Sequence, residues 1–408
     1  MKILLSSLVY MPEQTGYRAH DLAVGLTELG HDVISMTGFP SYPFGKVYDG
    51  YKFQVRQWEY LDGVKVLRIP YIMNRSKSAM QRVISYSSFS LLSILYGTFM
   101  TWKPDVIWTN QIGYPGLWLS KIKNAVHIHE VQDLWPEWSR TVDLGISNGV
   151  YSILDALQVG LYKKADRITT ISKGFKGWLV DKGIRSEKIS VIPNWADNKY
   201  YHPCSRDKTI GEKEGLAGYF NVMYLGNIGT AQALHVVLGA AKQLLVHHDI
   251  QFVFVGDGLE KKKLEDEARD NGLSNVKFLG KKSYESIANY MAWADLLFLH
   301  LKKDPTLEIT IPSKTYSYLA SGRPILGGCE GDVAELIEDN KAGIVIAPDD
   351  PAQLSKAVLD MFLLPSTIRE EYGINARKAF ENHYDRKVLI QEYEDLFLNC
   401  VNNKVRHK

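Results

Sequence analysis

The sequence contains little cysteine. Cys204, Cys329 and Cys400 are its three cysteines in 408 residues, and they form no CxxC pair and no Cys/His pair at zinc spacing. A disulfide scaffold and a structural zinc site are therefore disfavoured, and a reducing cytoplasm is the default expectation. The N-terminal run Met1-Lys2-Ile3-Leu4-Leu5 is not followed by a small-residue cleavage site, so it predicts a buried first strand rather than a signal peptide.

An excess of charge of one sign is also absent. The chain has 48 Lys and Arg against 46 Asp and Glu, a formal net charge of +2. This balance argues against a nucleic-acid partner on charge alone. With 45% hydrophobic and 23% charged residues, the composition also excludes a disordered, collagenous or coiled-coil protein. The length predicts two or three globular domains.

One long uncharged segment stands out. The 20 residues from Val83 to Trp102 carry no charge, and basic Arg75, Lys77 and Arg82 precede them. The segment is long enough to span about 30 Å as a helix, but five Ser and two Thr make it weakly apolar. We expect a helix mostly buried in its domain. The alternatives are a membrane-facing amphipathic patch with a basic rim and, least favoured, a transmembrane span.

Apolar runs alternate with helical patterns in two successive halves of the chain. The spacing predicts a helix over 17–29 that ends at Gly30, a strand over 64–69, and a C-terminal helix over 386–399. The polar stretch from Asp197 to Gly218 is typical of an interdomain linker. Such alternation predicts two α/β domains with parallel sheets, and a ligand in the cleft between them at the carboxyl ends of the strands.

Two common nucleotide and metal motifs are missing. No GxGxxG follows the first strand, and the second predicted strand ends in Ser35-Met36-Thr37, without the acid that would hold a ribose. This disfavours a dinucleotide-binding site. No Asp-x-Asp occurs in the chain, which disfavours a metal-dependent sugar transferase of the single-domain type.

Candidate site residues in the first half follow predicted strands. Gly16 immediately precedes a helix, where a glycine permits close approach to an anionic ligand, although an ordinary strand–helix turn is the alternative. Strand alternation sends His127 and His129 to one side, but no spacing supplies the third ligand that zinc needs. His129 or Asp133 could instead accept or position a hydroxyl proton, and a structural histidine is the alternative.

The second half contains glycine turns after two predicted strands. Gly226-Asn227-Ile228-Gly229 and Gly256-Asp257-Gly258 offer backbone N–H groups that can cradle a phosphate. Pro312-Ser313-Lys314 opens a predicted helix, where a lysine is unfavourable unless an anion is bound. A bound diphosphate would explain the glycine turns and the lysine together. The alternative is a lysine that faces solvent.

Taken in order, these stretches resemble a family 4 retaining glycosyltransferase of the two-Rossmann-domain (GT-B) type, and most closely its WbuB-like branch of bacterial N-acetylfucosaminyltransferases. The similarity extends over essentially the whole chain. The matching stretches are the Gly16 loop, Gly38-Phe39-Pro40-Ser41-Tyr42-Pro43, Gln132-Asp133-Leu134-Trp135-Pro136-Glu137, Ile192-Pro193-Asn194-Trp195-Ala196-Asp197, Gly226-Asn227-Ile228-Gly229, Gly256-Asp257-Gly258, Asn275-Val276-Lys277-Phe278-Leu279-Gly280 and Pro312-Ser313-Lys314.

This resemblance implies an acceptor-binding domain over 1–200, a donor-binding domain over 201–382, and a last helix over 383–408 that returns to the first domain. It also implies retention of anomeric configuration without a metal or other cofactor. The donor would be a nucleotide sugar, with UDP preferred to GDP, and the sugar an N-acetylated deoxyhexosamine. The acceptor would be a polyprenyl-diphosphate-linked glycan of O-antigen or capsule assembly, which would place the enzyme peripherally on the inner face of the cell membrane.

The chain departs from the family pattern at charged positions. Where the wider family has an Arg and then a Lys after the first glycine turn, this chain has Asn227 and about Gln232, so we expect Lys314 to supply the charge. The two family glutamates fall near Glu308 or Ile309 and on Ser317, which can bond a ribose hydroxyl less strongly than a carboxylate. The resemblance thus implies catalytic or acceptor roles for His129 and Asp133, and donor contacts at Gly16, Gly226, Asn227, Gly229, Gly256, Asp257, Gly258, Phe278, Leu279, Glu308, Ser313, Lys314 and Ser317.

Three other functions fit part of these observations. The missing carboxylate at Ser317 motivates a non-catalytic subunit that binds a nucleotide sugar or a glycan. A GT-B nucleotide-sugar 2-epimerase would need paired acids and histidines that the motifs do not resemble. A nicotinamide dehydrogenase is disfavoured by the absent GxGxxG fingerprint.

Overall fold

The computed structural model describes residues 1–42, 44–73, 79–137 and 147–406. The chain divides into two compact units. Unit 1 comprises Met1–Ile171, Phe175–Ile192 and Ile390–Lys408, and unit 2 comprises Ser172–Gly174 and Pro193–Leu389. The main division therefore lies at Ile192–Pro193, eight residues before the predicted position.

Unit 1 is built on an eight-stranded sheet in the order β3-β4-β2-β1-β5-β6-β7-β8. Its strands are β1 (Lys2–Ser6), β2 (Asp32–Gly38), β3 (Gln57–Leu61), β4 (Val64–Ile69), β5 (Val106–Asn110), β6 (Val126–Val131), β7 (Arg167–Thr170) and β8 (Ile189–Val191). Central β1 is parallel to both neighbours, and Ile3 lies beside Val33 and Val106. β5 and β6 are buried throughout, as expected for strands covered on both faces.

The helices of unit 1 include α1 (Tyr17–Glu28), α2 (Ala79–Phe99), α3 (Tyr114–Lys123), α4 (Asn148–Lys164) and α5 (Lys173–Asp181), with short 3₁₀ turns at Gln14–Gly16 and Ser186–Lys188. The predicted helix over 17–29 and the predicted strand over 64–69 are both confirmed. Gly30 follows α1 with a φ of +86°, a left-handed conformation that glycine adopts at little cost and that ends a helix.

Unit 2 contains a six-stranded parallel sheet in the order β11-β10-β9-β12-β13-β14. The strands are β9 (Phe220–Leu225), β10 (Ile250–Val255), β11 (Val276–Gly280), β12 (Leu296–His300), β13 (Ile325–Gly328) and β14 (Gly343–Ile346). Buried side chains of β9, β10, β12 and β13, among them Phe252, Phe254 and Phe298, form its apolar core.

The helices of unit 2 are α6 (Lys208–Lys213), α7 (His235–Gln243), α8 (Lys261–Asp270), α9 (Tyr284–Met291), α10 (Pro305–Glu308), α11 (Ser313–Ser321), α12 (Asp332–Asp339), α13 (Pro351–Leu363) and α14 (Ser366–His383), with a 3₁₀ turn at Thr230–Gln232. The stretch predicted as a linker is instead a folded part of this unit. Asp207 caps α6 by accepting the N–H groups of Thr209 and Ile210, and the indole of Trp293 donates to the Asp207 carbonyl at 3.0 Å.

The last helix, α15 (Arg386–Arg406), is longer than the predicted 386–399 and belongs to unit 1 from Ile390 onward. It is held there by a buried polar network. The Tyr393 hydroxyl donates to Glu130 at 2.8 Å, and Arg18 donates to Glu130 at 2.7 Å and to the Tyr393 oxygen at 2.9 Å. A buried ion pair of this kind requires all its partners, because removal of one leaves an uncompensated charge.

Helix α2 corrects the expectation of a mostly buried helix. Its inward face buries Phe89 in the apolar core of unit 1, beside buried Ser85 and Ser93 and with Gly97 against Leu119 of α3. Other large apolar side chains of the helix face outward along one stripe. The outward stripe consists of Met80, Ile84, Leu91, Leu95 and Phe99, exposed by 41–78%. Among the described residues, no helix is both long enough and apolar enough to cross a bilayer.

Candidate functional site

The strand order of unit 2 marks a candidate site. β9 is central, with β10 on one side and β12 on the other, so the connections that follow β9 and β12 run in opposite directions. Open parallel sheets bind ligands outside the carboxyl ends of their strands at such a switch point. Gly226 directly follows β9, and His300 ends β12. These residues therefore define the edge of the sheet where a ligand is expected.

The two glycine turns pack against each other at this edge. Gly226 and Gly256 have φ values of +141° and +149°, and a Cβ on Gly256 would lie 1.9 Å from the Gly226 carbonyl oxygen. A Cβ on Gly258 would lie 2.2 Å from the Ile228 carbonyl oxygen. The Ile228 N–H donates to the Asp257 carbonyl at 2.9 Å. Only glycine allows the backbones of the two turns to approach so closely.

Lys314 lies against Gly226 of the first turn. It occupies the first turn of α11, and its ammonium nitrogen would be 3.1 Å from a Cβ placed on Gly226. It also contacts the Tyr224 hydroxyl and lies 4.1 Å from the centroid of the Tyr224 ring. Within the described part of the chain, Lys314 has no carboxylate partner among the ion pairs. Burial lowers the pKa of Lys314 to about 7, because a desolvated cation without a counter-charge loses its proton more readily.

Two tyrosines fix the positions of Lys314 and of the glycine turn that follows β9. Tyr224 is buried, and its hydroxyl donates to the Asn227 carbonyl at 2.5 Å. The Tyr318 hydroxyl accepts the Leu225 N–H at 2.8 Å and donates to the Leu225 carbonyl at 3.0 Å. Since Tyr318 and Lys314 are four residues apart on α11, one helix face fixes both to the end of β9.

Gln232 and His300 form hydrogen bonds that fix the backbone at the same edge of the sheet. The Gln232 side chain accepts the Gly229 N–H at 3.1 Å. His300 donates from Nδ1 to the Gln232 carbonyl at 2.8 Å, while its Nε2 accepts the Asp349 N–H at 3.0 Å. Burial lowers the pKa of His300, so the ring is neutral at physiological pH and acts as a fixed support.

The other predicted donor contacts are distributed around this centre. Asn227, Asp257 and Ser313 are exposed, and Glu308 is partly buried at the end of α10. Ser317 forms a hydrogen bond with the Tyr201 hydroxyl, whose pKa burial raises to about 12. The surface around Lys314 is thus polar, and in the described residues no group of three or more His, Cys, Asp or Glu side chains could hold a metal ion.

Phe278 is placed differently from its prediction. Its ring stacks on Phe254 with centroids 4.8 Å apart and packs against the apolar core of unit 2. Leu279, the next residue of β11, is only partly buried. The aromatic character of Phe278 is explained by core packing, because stacked rings contribute beyond their buried area.

His129 is likewise part of a core. It is 1% exposed, and its Nδ1 lies 2.9 Å from the Thr109 hydroxyl, which also contacts Nε2 of His127 at 2.8 Å. Burial lowers the pKa of His129 to about 3, so the ring is neutral and without access to solvent. The two histidines share one side of β6 as predicted, but that side is closed. We therefore correct the proton-accepting role predicted for His129 to a structural one.

Gly16 and Asp133 complete the predicted set in unit 1. A Cβ on Gly16 would lie 2.3 Å from the backbone of Tyr10, so close packing within unit 1 accounts for this glycine. The nearby Glu13 is buried and accepts the N–H groups of Ser41 and Tyr42 at 2.7 and 2.6 Å. Asp133 is exposed in the loop after β6, which leaves its carboxylate accessible.

The predicted basic rim is described only in part. Arg75 and Lys77 lie outside the described residues. Arg82 lies 5.8 Å from the centroid of the Trp135 ring, a cation–π distance.

Three residues of the candidate site in unit 2 were not predicted from the sequence. Tyr224, Tyr318 and His300 each lie within the apolar pattern of a strand or helix and belong to no motif that would mark them.

Comparisons with known proteins agree with this fold. Residues 15–195 match the glycosyl transferase 4-like domain family and residues 219–363 match the glycosyl transferases group 1 family. The chain is 27% identical to WcaI of Escherichia coli strain K12, a protein named for glycosyl transfer in colanic acid biosynthesis, over 96% of this chain and 98% of that one.

Solved structures are similar in fold at low identity. HepE of Anabaena, determined in complex with UDP, superposes with a TM-score of 0.76 at 17% identity and covers 98% of this chain and 100% of that chain. WaaG, a glycosyltransferase involved in lipopolysaccharide biosynthesis, superposes with a TM-score of 0.66 at 15% identity and covers 97% and 99%. With both halves matched in order, the chain belongs to the family 4 glycosyltransferases of GT-B fold.

Proposed function

We propose that the protein is a retaining glycosyltransferase that moves a sugar from a UDP-linked donor to a lipid-linked glycan in bacterial surface polysaccharide assembly. The observation that carries this proposal is Lys314, a partly buried cation without a carboxylate partner among the ion pairs of the described residues, set against Gly226 of the first glycine turn. The UDP bound to HepE and the colanic acid named for WcaI support the choice of nucleotide and of pathway class. Placement in the WbuB-like branch and transfer of an N-acetylated deoxyhexosamine remain predictions.

The donor diphosphate is held by Lys314 beside the glycine turns. The predicted cradle of backbone N–H groups is corrected, because the N–H groups of Gly226, Ile228, Gly229, Gly256 and Gly258 already donate within the protein. The glycines leave room for phosphate oxygens close to the backbone. Lys314 supplies the positive charge that the family otherwise places at the positions of Asn227 and Gln232. Because the ammonium is already desolvated, it gains more from a diphosphate than an exposed lysine would.

The same arrangement serves the chemical step. As the glycosidic bond to the diphosphate breaks, negative charge grows on the departing phosphate oxygen, and a fixed cation stabilises that charge without reorganisation. We propose that this contribution replaces a metal ion, and that activity is unchanged by a chelator. Ser317, with its Tyr201 partner, is our candidate for the ribose hydroxyls, and Glu308 our candidate for the donor sugar.

Asp133 is our candidate for positioning the acceptor hydroxyl in unit 1. Its carboxylate is accessible in the loop after β6, and a carboxylate can accept the hydroxyl proton. His129 cannot share this role from its buried position.

The acceptor is proposed to be a polyprenyl-diphosphate-linked glycan reached from the membrane surface. The outward stripe of α2 offers apolar side chains, and α3 extends this surface with exposed Trp118 and Ile122. Neither helix contains a carboxylate, while Arg82, Lys121 and Lys123 are basic. An apolar face with a basic rim is what an anionic bilayer surface attracts. The expected location is therefore peripheral, on the cytoplasmic face of the cell membrane.

UDP binding tests the donor site directly. In calorimetric titrations at pH 7, we expect Lys314→Met to weaken UDP binding by about ten- to a hundredfold, the usual cost of one charge-assisted contact. Lys356→Met, an exposed lysine on α13, is the matched control and should leave the affinity unchanged. Equal affinity in the Lys314→Met variant would contradict the assignment of the diphosphate to this site.

A transfer assay separates this enzyme from a non-catalytic binding subunit, the alternative that Ser317 favours. With a radiolabelled nucleotide-sugar donor and bacterial lipid-linked acceptor, the enzyme releases free nucleotide and labels the lipid fraction. A binding subunit would retain affinity for the nucleotide sugar and produce neither.

Vesicle co-sedimentation tests the membrane surface. At low salt, the protein should sediment with vesicles that contain phosphatidylglycerol, and the double variant Leu91→Gln/Leu95→Gln should bind about tenfold more weakly because two apolar side chains are removed from the face. Val246→Gln, at an exposed apolar position of unit 2, is the control. Absence of wild-type sedimentation would remove the membrane claim and leave the donor site untouched.

A further inference from the structure

A charged cavity lies in unit 2, away from the glycine turns. Its volume is about 570 Å³, and it is lined by residues at the amino ends of β12 and β13 and along most of α14. The glycine turns lie at the carboxyl ends of the strands of the same sheet, whereas the cavity lies at the amino ends. The length of one strand, about 16 Å, therefore separates the two. The cavity is therefore distinct from the proposed donor site.

Positive charge predominates in this cavity. Its basic lining residues are Arg206, Arg323, Arg369, Arg377 and Lys378, against three carboxylates. Two of those carboxylates are already bound. Asp295 accepts from Arg206 at 2.6 Å and from the Asn221 N–H at 2.9 Å, and Glu381 accepts from Arg377 at 2.7 Å.

Two of the arginines converge on a single acceptor. Arg206 donates to the Ala292 carbonyl at 3.1 Å, and Arg323 donates to the same oxygen at 2.6 Å. Two guanidinium groups are thus held side by side, with Asp295 as the nearby counter-charge. Burial and the neighbouring Arg206 both lower the pKa of Arg323, as expected for a cation that is partly desolvated beside a like charge.

The geometry points to a binding site for a phosphoryl group. A phosphate is a compact dianion that can accept hydrogen bonds from the remaining N–H groups of two guanidinium groups at once, and this would relieve the repulsion between Arg206 and Arg323. A cavity of this volume suits a small phosphorylated metabolite. We propose that it binds such a ligand, independently of the donor function proposed above.

Titration with inorganic phosphate tests the site. The experiment uses the full chain at constant ionic strength set with chloride, first with UDP at saturation and again on Lys314→Met, so that phosphate bound at Lys314 does not contribute. We expect saturable binding in both, weakened by about tenfold or more in Arg323→Gln and in Arg206→Gln, since each removes a charged hydrogen bond.

Arg269→Gln is the matched control, because Arg269 is an exposed arginine of α8 in the same unit. It should bind phosphate like the wild type. No saturable binding in the wild type, or equal binding in Arg323→Gln and Arg269→Gln, would overturn the proposal. Circular dichroism checks folding, and if one cavity variant unfolds, the other provides the same comparison. Failure of UDP to bind would instead contradict the proposed function.

Discussion

Each unit contains a cation withdrawn from solvent, buried Arg18 in unit 1 and partly buried Lys314 in unit 2, and the two have opposite surroundings. Arg18 of unit 1 is paired with Glu130 and Tyr393, and these partners raise its pKa although burial alone would lower it. Lys314 of unit 2 faces Tyr224 and Gly226, and burial lowers its pKa to about 7. A compensated cation of the first kind stabilises a fold, whereas an uncompensated one favours an anionic ligand.

Removal of the partner of Arg18 should have the largest effect. Glu130→Gln leaves the guanidinium buried beside a neutral amide, and the free energy of unfolding should fall by about 3–5 kcal/mol. Urea denaturation measures the change. Tyr393→Phe, which keeps the ion pair and removes one hydroxyl, should cost about 1 kcal/mol. If Glu130→Gln were no more destabilising than Tyr393→Phe, the pair would not compensate the charge.

The pH dependence of stability should distinguish Lys314 from an ordinary lysine. Its pKa falls from 10.5 in the unfolded chain to about 7 in the fold, so the unfolded state binds the extra proton between these values. The cost of burying the ammonium is complete below pH 7 and disappears above about pH 10.5. Lys314→Met should therefore be more stable than wild type at pH 6.5, and this advantage should shrink by pH 9.

Lys356→Met is again the control for that measurement, since an exposed lysine should give a difference from wild type that does not change with pH. The same constant difference for Lys314→Met would show that its ammonium is solvated in the fold, which would contradict the comparison with Arg18.

Local patterns in the sequence were sufficient for much of the fold. Period and turn residues located α1 and β4. The glycines after β9 and β10 were predicted to cradle a phosphate, whereas the structure shows that they let the two turns pack against each other. The edge strand β3 was not predicted, because Gln57–Leu61 alternates between exposed and partly buried residues and pairs antiparallel at the sheet margin. The strand–helix alternation that predicted the parallel strands carries no information about an antiparallel edge strand.

Side-chain environments required the tertiary structure. Strand alternation placed His127 and His129 on one side of β6 but could not show that packing closes that side. On α2, the sequence predicted a mostly buried helix but could not show that only one face, with Phe89, Ser93 and Gly97, packs inward. Tyr224 was indistinguishable from any buried strand residue until Lys314 was placed over its ring.

Proton uptake on UDP binding is the most direct test of the uncompensated cation. At pH 8 the free Lys314 is mostly neutral, and a bound diphosphate should restore its proton, so calorimetry in buffers of different ionisation enthalpy should detect uptake of close to one proton per UDP. The Lys314→Met variant should take up none. Equal uptake in both proteins, or none in the wild type, would contradict the account of Lys314 as the partner of the donor diphosphate.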